Sequence, residues 1–185
     1  MTVQNINELK ILLRKPKNIV ITTHKGPDGD AIGSSLGLYN YFLKKGHNVQ
    51  VITPNEYPVF LHWMKGNDKI IQFIEKPVEA ERIISESDII FCLDFNNLNR
   101  VGDISPILGQ SSAFKVLIDH HQDPDIFDFN LSDPTASSTA QLIYDFIDMF
   151  GDAEMINQDI AECLYAGIMT DTGNFRFPSV TSKTH

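Results

Sequence analysis

Short apolar runs that lack polar alternation recur along the chain and constrain its fold more than any other feature. They are rich in β-branched residues and predict strands at Asn18 to Thr23, Val49 to Thr53, Ile70 to Gln72, Asp88 to Leu93 and Lys115 to Ile118. Segments with helical spacing predict helices at about Ile6 to Leu13, Ala31 to Lys45, Val78 to Glu86, Ser138 to Phe150 and Asn157 to Thr170. Strands that are apolar on both faces require a parallel sheet that helices cover on both sides. The sequence therefore predicts an α/β fold with an open, doubly wound, mainly parallel sheet flanked by helices on both faces.

Length, composition and charge predict a single cytoplasmic domain. A chain of 185 residues with 42 % hydrophobic residues can form one domain with a real core. We expect a cytoplasmic protein, because no apolar stretch reaches the roughly 18 residues that span a bilayer and the first residues do not resemble a signal peptide. Cys92 and Cys163 lie in apolar patterns and are expected to be buried thiols. The formal net charge of −9 argues against general electrostatic binding of nucleic acid.

Carboxylates and imidazoles follow three of the predicted strands. They stand where open α/β sheets bind ligands, because the carboxyl ends of parallel strands meet at one edge. The residues are His24, Asp28 and Asp30 after the first strand, Asp94 after the fourth, and Asp119, His120 and His121 after the fifth. Taken alone, Asp30 could be a helix cap and His24 a polar residue at a strand end. Together they predict a functional site, since uncompensated carboxylates this close would repel each other.

Divalent cations are the natural compensation for such a cluster. Mixed carboxylate and imidazole donors suit Mn²⁺, and less specifically Mg²⁺, Co²⁺ or Zn²⁺. The donors outnumber the needs of one ion, which predicts two ions about 3.5–4 Å apart that would generate a hydroxide and polarise phosphoryl oxygens. Asp171 is a further candidate ligand, because a carboxylate at a helix C-terminus faces the negative end of the helix dipole. The predicted reaction is hydrolysis of a phosphate ester or anhydride.

Four segments, in order, resemble the motifs of the DHH phosphoesterase superfamily: HKGPDGDAIGS, FCLDFNNLNRVG, LIDHH and AGIMTDTGNFRF. The resemblance implies that one metal ion is bound by residues matching His24, Asp28, Asp94 and Asp171. It implies that the second is bound by Asp30 and His120, with Asp94 and Asp171 as bridges.

Three further residues receive expected roles. The resemblance implies that His121 contacts the scissile phosphate or the leaving group. Asp119 is expected to orient an imidazole, as metal-site histidines commonly require. Arg100, in a D-x5-R-x-G pattern similar to the family's, could clamp a non-reacting phosphate or be a solvated loop residue.

Within the superfamily, THKGPDGDAIGS and TDTGNFRF most resemble the nanoRNase and pAp-phosphatase branch, where pAp is 3′-phosphoadenosine 5′-phosphate. The implied substrates are short single-stranded RNA and pAp. Inorganic pyrophosphatase, exopolyphosphatase and hydrolysis of pApA derived from cyclic dinucleotides remain alternatives, as does a noncatalytic, metal-dependent nucleotide-binding module. The resemblance also implies a C-terminal DHH-associated domain that binds substrate. It is compatible with a homodimer. The ending PSVTSKTH looks like a helix start in a linker to that domain.

The sequence also predicts a helix cap and a close helix packing. Ser138 and Gln141 match a capping box at the start of a helix, and a helix N-terminus near the metals could also receive an anion. Gly33 and Gly37 are expected to let their helix pack close to the sheet.

Overall fold

The structure, a computed structural model, describes residues 2, 3 and 6–185, with side chains for 6–185. The described part contains seven strands: β1 Thr2–Val3, β2 Asn18–Thr23, β3 Asn48–Thr53, β4 Ile71–Gln72, β5 Ile89–Leu93, β6 Phe114–Asp119 and β7 Phe129–Ser132. It also contains six α-helices: α1 Ile6–Leu12, α2 Gly29–Lys44, α3 Pro77–Ser85, α4 Ser105–Gln110, α5 Thr139–Met149 and α6 Gln158–Asp171.

All described strands form one sheet in the order β1-β7-β6-β5-β2-β3-β4. Strands β2 to β7 are parallel to their neighbours, and only the short β1 pairs antiparallel, with β7. From β2 the chain builds outward through β3 and β4, then returns to place β5 on the other side of β2. The carboxyl ends of β2 and β5 therefore form the switch point at which doubly wound sheets hold their ligands.

Helices cover both faces of the sheet, which confirms the predicted architecture. Helices α1, α2, α5 and α6 belong to one buried cluster, with Phe42 of α2 and Phe146 of α5 packed around Phe91 of β5. Helices α3 and α4 cover the other face, where Ile84 and Leu108 join the outward side chains of the same strands. Cys92 and Cys163 are buried free thiols, as expected. Among the described helices, none is both long and apolar enough to cross a membrane.

Helix α6 lies against α2 and α5 rather than against the sheet. The expected role of Gly33 and Gly37 is therefore wrong, because both glycines face α6. A Cβ atom on Gly33 would lie 2.5 Å from the carbonyl oxygen of Cys163, and one on Gly37 would lie 2.5 Å from Leu164. This close crossing brings the last residue of α6 beside the first turn of α2.

Other differences from the sequence prediction are local. Helix α2 begins two residues early because Asp28, not Asp30, is its cap and accepts hydrogen bonds from the amides of residues 30 and 31. The six-residue α4 is absent from the prediction, and β7 lies in the acidic stretch DPDIFDFNLSDP, residues 123–134, whose sequence predicts turns around a short extended segment. Residues 178–185 form turns instead of the predicted helix start, with one turn closed by Thr184 and Thr181.

Candidate metal centre

Strand β2 delivers His24 to the switch point through a loop that is braced on both sides. The amide of Lys25 donates to the carbonyl oxygen of Arg100 (2.8 Å), and the amide of Gly26 donates to Asn55 Oδ1 (2.7 Å). Gly26 adopts a left-handed conformation (φ 67°) that glycine accepts without strain. These two hydrogen bonds connect the loop after β2 to the loops after β5 and β3. The neighbouring loops therefore hold His24 in position.

The imidazole of His24 turns one nitrogen toward two carboxylates. Its Nδ1 lies 3.0 Å from the carbonyl oxygen of Lys25, a distance at which Nδ1–H donates. Its Nε2 then lies 3.4 Å from Asp94 Oδ2 and 3.9 Å from Asp28 Oδ1. Burial lowers the pKa of His24, but the contacts with Asp94 and the Lys25 carbonyl outweigh it and raise the pKa. The free Nε2 lone pair is aimed where a cation would sit.

Asp94 occupies the centre of the cluster in a strained backbone conformation. Its φ of 63° lies in the left-handed region, which aspartate tolerates better than most residues. The residue is 2 % exposed, and its two carboxylate oxygens face different partners: Oδ2 faces His24, and Oδ1 lies 3.6 Å from His120 Nε2. Burial acts to raise the pKa of Asp94, but His24, His120 and Thr139 outweigh it and lower the pKa. Such a residue can serve two sites at once.

A second group of donors lies on the other side of Asp94. His120 Nε2 is 3.5 Å from Asp171 Oδ2, and Asp30 completes the group. Asp30 is 1 % exposed, and burial, followed by the charges of Asp94 and Asp171, raises its pKa well above the ordinary value. Burial also leads the causes that raise the pKa of Asp171. Burial and mutual repulsion therefore outweigh the stabilisation that these carboxylates receive from His120 and from backbone amides.

The ligand atoms thus fall into clusters whose members lie within 4.8 Å of one another: His24, Asp28 and Asp94; Asp30, His120 and Asp171; and Asp94, His120 and His121. The first two match, apart from the bridging residues, the two ligand sets implied by the resemblance. Mixed carboxylate and neutral imidazole donors, with repelling buried carboxylates between them, fit divalent cations.

His121 is held differently from His120. Asp119, fully buried at the end of β6, accepts hydrogen bonds from the backbone amide of His121 (3.1 Å) and from its Nδ1 (2.7 Å). The hydrogen bond to Asp119 raises the pKa of His121, while burial and the charge of Arg100 act in the opposite direction. Nδ1–H is engaged, so Nε2 is the atom of His121 free to exchange a proton with a ligand.

Arg100 lies in the 3₁₀ segment Leu98–Ile104 that follows β5. It is half-buried, and within residues 6–185 its guanidinium makes no hydrogen bond or ion pair with a side chain. Its charge acts on His121. The structure therefore brings Arg100 to the same side of the sheet as the donor clusters.

Sequence reasoning missed the contact of Thr139 with this centre. Thr139 is fully buried, its hydroxyl donates to Asp94 Oδ1 (2.9 Å), and its amide donates to Asp30 Oδ2 (2.6 Å). The available signal was the expectation that the N-terminus of this helix could receive an anion. The anion it receives is a carboxylate of the chain itself.

Comparison with known proteins identifies relatives of the chain. The family model described as "DHH family, N-terminal domain" matches residues 18–168. The bifunctional oligoribonuclease and PAP phosphatase NrnA of Thermus thermophilus is 35 % identical over 166 residues, which cover 89 % of this chain and 46 % of that protein. The cyclic-di-AMP phosphodiesterase PdeA of Listeria monocytogenes is 27 % identical over 176 residues, which cover 90 % of this chain and 26 % of that protein.

Among solved structures, an exopolyphosphatase-related protein from Bacteroides fragilis has a TM-score of 0.94 and 39 % identity. The match covers 98 % of this chain and 54 % of that one. The chain therefore spans about half the length of such relatives, and less of the phosphodiesterase.

Proposed function

Because this chain belongs to the DHH family, we propose that it forms the metal centre of a two-metal phosphoesterase that hydrolyses short oligoribonucleotides and pAp. The observation that carries the proposal is the pair of donor clusters on either side of Asp94 at the switch point of the sheet. The substrate class rests on the 35 % identity to an oligoribonuclease and PAP phosphatase.

We assign one ion to His24, Asp28 and Asp94 and the other to Asp30, His120 and Asp171. Asp94 is the proposed bridge, because its two oxygens face His24 and His120 separately. Asp171 was expected to bridge as well, and its contact with His120 supports its place in the second set. Mn²⁺ is the proposed metal, since imidazole nitrogen and carboxylate oxygen together suit it better than they suit Mg²⁺.

Bound ions would supply an activated water and polarise the phosphoryl oxygens of the substrate. Around that chemistry, His121 is the proposed general acid. Asp119 holds its ring through Nδ1, which directs Nε2 and its proton toward the leaving oxygen. Arg100 has no competing carboxylate partner among residues 6–185, and it is the proposed clamp for a phosphate that does not react.

A second candidate substrate comes from the phosphodiesterase relative. Its name describes action on cyclic-di-AMP, and a linear pApA product of such a ring would present the same phosphodiester to the same donors. Inorganic pyrophosphate and polyphosphate are weaker candidates, supported by the exopolyphosphatase-related structure. A noncatalytic binding module would have no use for the oriented ring of His121.

The deciding experiment measures Mn²⁺-dependent hydrolysis of pAp, short RNA, pApA and pyrophosphate by the wild-type protein and by His121→Ala and Asp94→Asn. Loss of the general acid is expected to lower kcat about 100- to 10,000-fold, and loss of the bridge is expected to abolish Mn²⁺ binding. His62→Ala is the matched control, because His62 is exposed and contacts Tyr57 instead of the donor clusters. Unchanged hydrolysis in both site variants would refute the proposed function.

We further propose that substrate is gripped by a C-terminal domain, since the relatives are about twice as long as this chain. Turnover by residues 1–185 alone should then be far slower than turnover by a longer chain, and equal rates would exclude that role. Two free thiols and a nucleotide substrate are consistent with a cytoplasmic protein, which we propose as its location.

A further inference from the structure

The first turn of α5 lies directly against the proposed metal centre. Both oxygens of the Asp30 carboxylate accept hydrogen bonds there, Oδ2 from the amide of Thr139 (2.6 Å) and Oδ1 from the amide of Ala140 (2.8 Å). Amides at a helix N-terminus have no partner within the helix, and the helix dipole favours negative charge beside them. Asp30 therefore occupies the anion position of α5 and is held there by two bonds.

The side chain of Thr139 acts on a different carboxylate. Its hydroxyl donates to Asp94 Oδ1 at 2.9 Å, and Thr139 is fully buried. A hydroxyl group has only one proton to donate, and Thr139 donates it to Oδ1 of Asp94. The hydrogen bond therefore holds Oδ1 on the side of Asp94 that faces His120. The other oxygen is left facing His24 at 3.4 Å. A β-branched side chain in a helix has few rotamers, and burial restricts the Thr139 side chain further, so its hydroxyl has little freedom to leave Asp94.

We propose that Thr139 is a positioning residue of the metal centre: its hydroxyl holds the Asp94 carboxylate with one oxygen toward each donor cluster, while its amide holds Asp30. One residue thereby fixes a proposed ligand in each cluster. The inference rests on the proposed function, since it assigns this role only where Asp94 and Asp30 bind ions. The competing explanation is that Thr139 merely helps α5 to fold.

Three substitutions separate these explanations. Thr139→Val keeps the size, the β-branch and the backbone amide and removes only the hydroxyl. Thr139→Ser restores a hydroxyl at the same position. Ser138→Ala removes the neighbouring buried hydroxyl, which caps α5 by accepting from the amide of Gln141 (3.1 Å) and makes no hydrogen bond to Asp94 or Asp30. It is the matched control for loss of helix stability alone.

The experiment is a calorimetric titration of each metal-free protein with Mn²⁺, combined with thermal unfolding of the same samples. Thr139→Val is expected to weaken Mn²⁺ binding about 10- to 100-fold, the usual effect of losing a hydrogen bond to a metal ligand. Thr139→Ser is expected to recover most of that affinity. Ser138→Ala is expected to lower the melting temperature and to leave Mn²⁺ affinity unchanged.

Two outcomes would overturn the role of Thr139 and leave the proposed function intact: wild-type affinity in Thr139→Val, or an equal loss of affinity in Ser138→Ala. Failure of the serine variant to recover affinity would also count against the hydroxyl as the positioning group. Absence of Mn²⁺ binding in the wild-type protein is a different result, because it refutes the metal centre itself.

Discussion

Replacing Gly33 by alanine tests whether the close crossing of α2 and α6 builds the metal centre. The new Cβ would lie 2.5 Å from the carbonyl oxygen of Cys163 and 2.8 Å from the amide nitrogen of Gly167. Both are backbone atoms of α6, so no side chain can rotate away. Ordinary contact begins at 3.4 Å, and the two helices must therefore separate by about 0.9 Å.

The separation affects stability and the site together. Overpacking of this kind lowers the free energy of unfolding by about 1–3 kcal/mol, whereas the higher helix propensity of alanine raises it by up to about 1 kcal/mol. We expect a net loss of about 1–2 kcal/mol in the free energy of unfolding. Asp171 ends α6, so the same shift moves its carboxylate away from Asp30, and a misplacement of about 1 Å can cost about 100-fold in function.

The assays are urea unfolding of the metal-free protein and Mn²⁺ titration. The matched control is Gly109→Ala in α4, where no atom lies within 4 Å of the new Cβ. That variant is expected to gain up to about 1 kcal/mol and to bind Mn²⁺ normally. If Gly33→Ala gains stability as the control does and keeps wild-type affinity, the close crossing does not position the site.

Three further predictions concern single groups. The amide of Lys17 donates a hydrogen bond to Nδ1 of His47, which requires a neutral imidazole, and burial lowers the pKa of His47 from 6.5. The neutral imidazole therefore stabilises the fold above about pH 6.5, and this contribution is lost as the pH falls below that value. His47→Gln should flatten the loss of the free energy of unfolding as the pH falls below about 6.5, measured by urea unfolding, and an unchanged slope there would exclude His47 as its source. Asp171→Asn should raise the free energy of unfolding of the metal-free protein by about 1 kcal/mol, because it removes a charge from repelling carboxylates, while Mn²⁺ binding is lost; a less stable variant would contradict this. Burial raises the pKa values of Cys92 and Cys163 to about 12, so a thiol reagent should label neither in the native protein and both in urea.

The strands and the edge that carries the site follow directly from the sequence. A run that is apolar throughout, such as Ile89–Leu93 of β5, is typical of a strand buried on both faces of a parallel sheet, and the residue after it then lies at the carboxyl edge. For the same reason the sequence predicts that His24, Asp94 and His120 are neighbours. This proximity follows from the apolar pattern of the strands and from the rule that the carboxyl ends of parallel strands lie at one edge of the sheet.

Features that depend on which elements a helix packs against could not be predicted from local sequence patterns. The spacing of Gly33 and Gly37 marks one face of α2, but nothing local tells whether that face meets the sheet or α6. Helix α4 is only six residues long and carries too little periodicity to be recognised. The contact of Thr139 with Asp94 joins residues 45 positions apart, and it forms only when α5 packs on the assembled sheet.

The bond between Asp30 and Thr139 also has a consequence for how the protein reaches its native state. It joins residues 109 positions apart, so it closes most of the chain into one loop. The entropy of closing a loop of this length must be overcome before the contact contributes anything, and contacts of such separation slow folding. The donor clusters that depend on this contact are complete only when α5 lies against the sheet. A nascent or partly folded chain presents isolated carboxylates, and the proposed metal centre exists only in the finished fold.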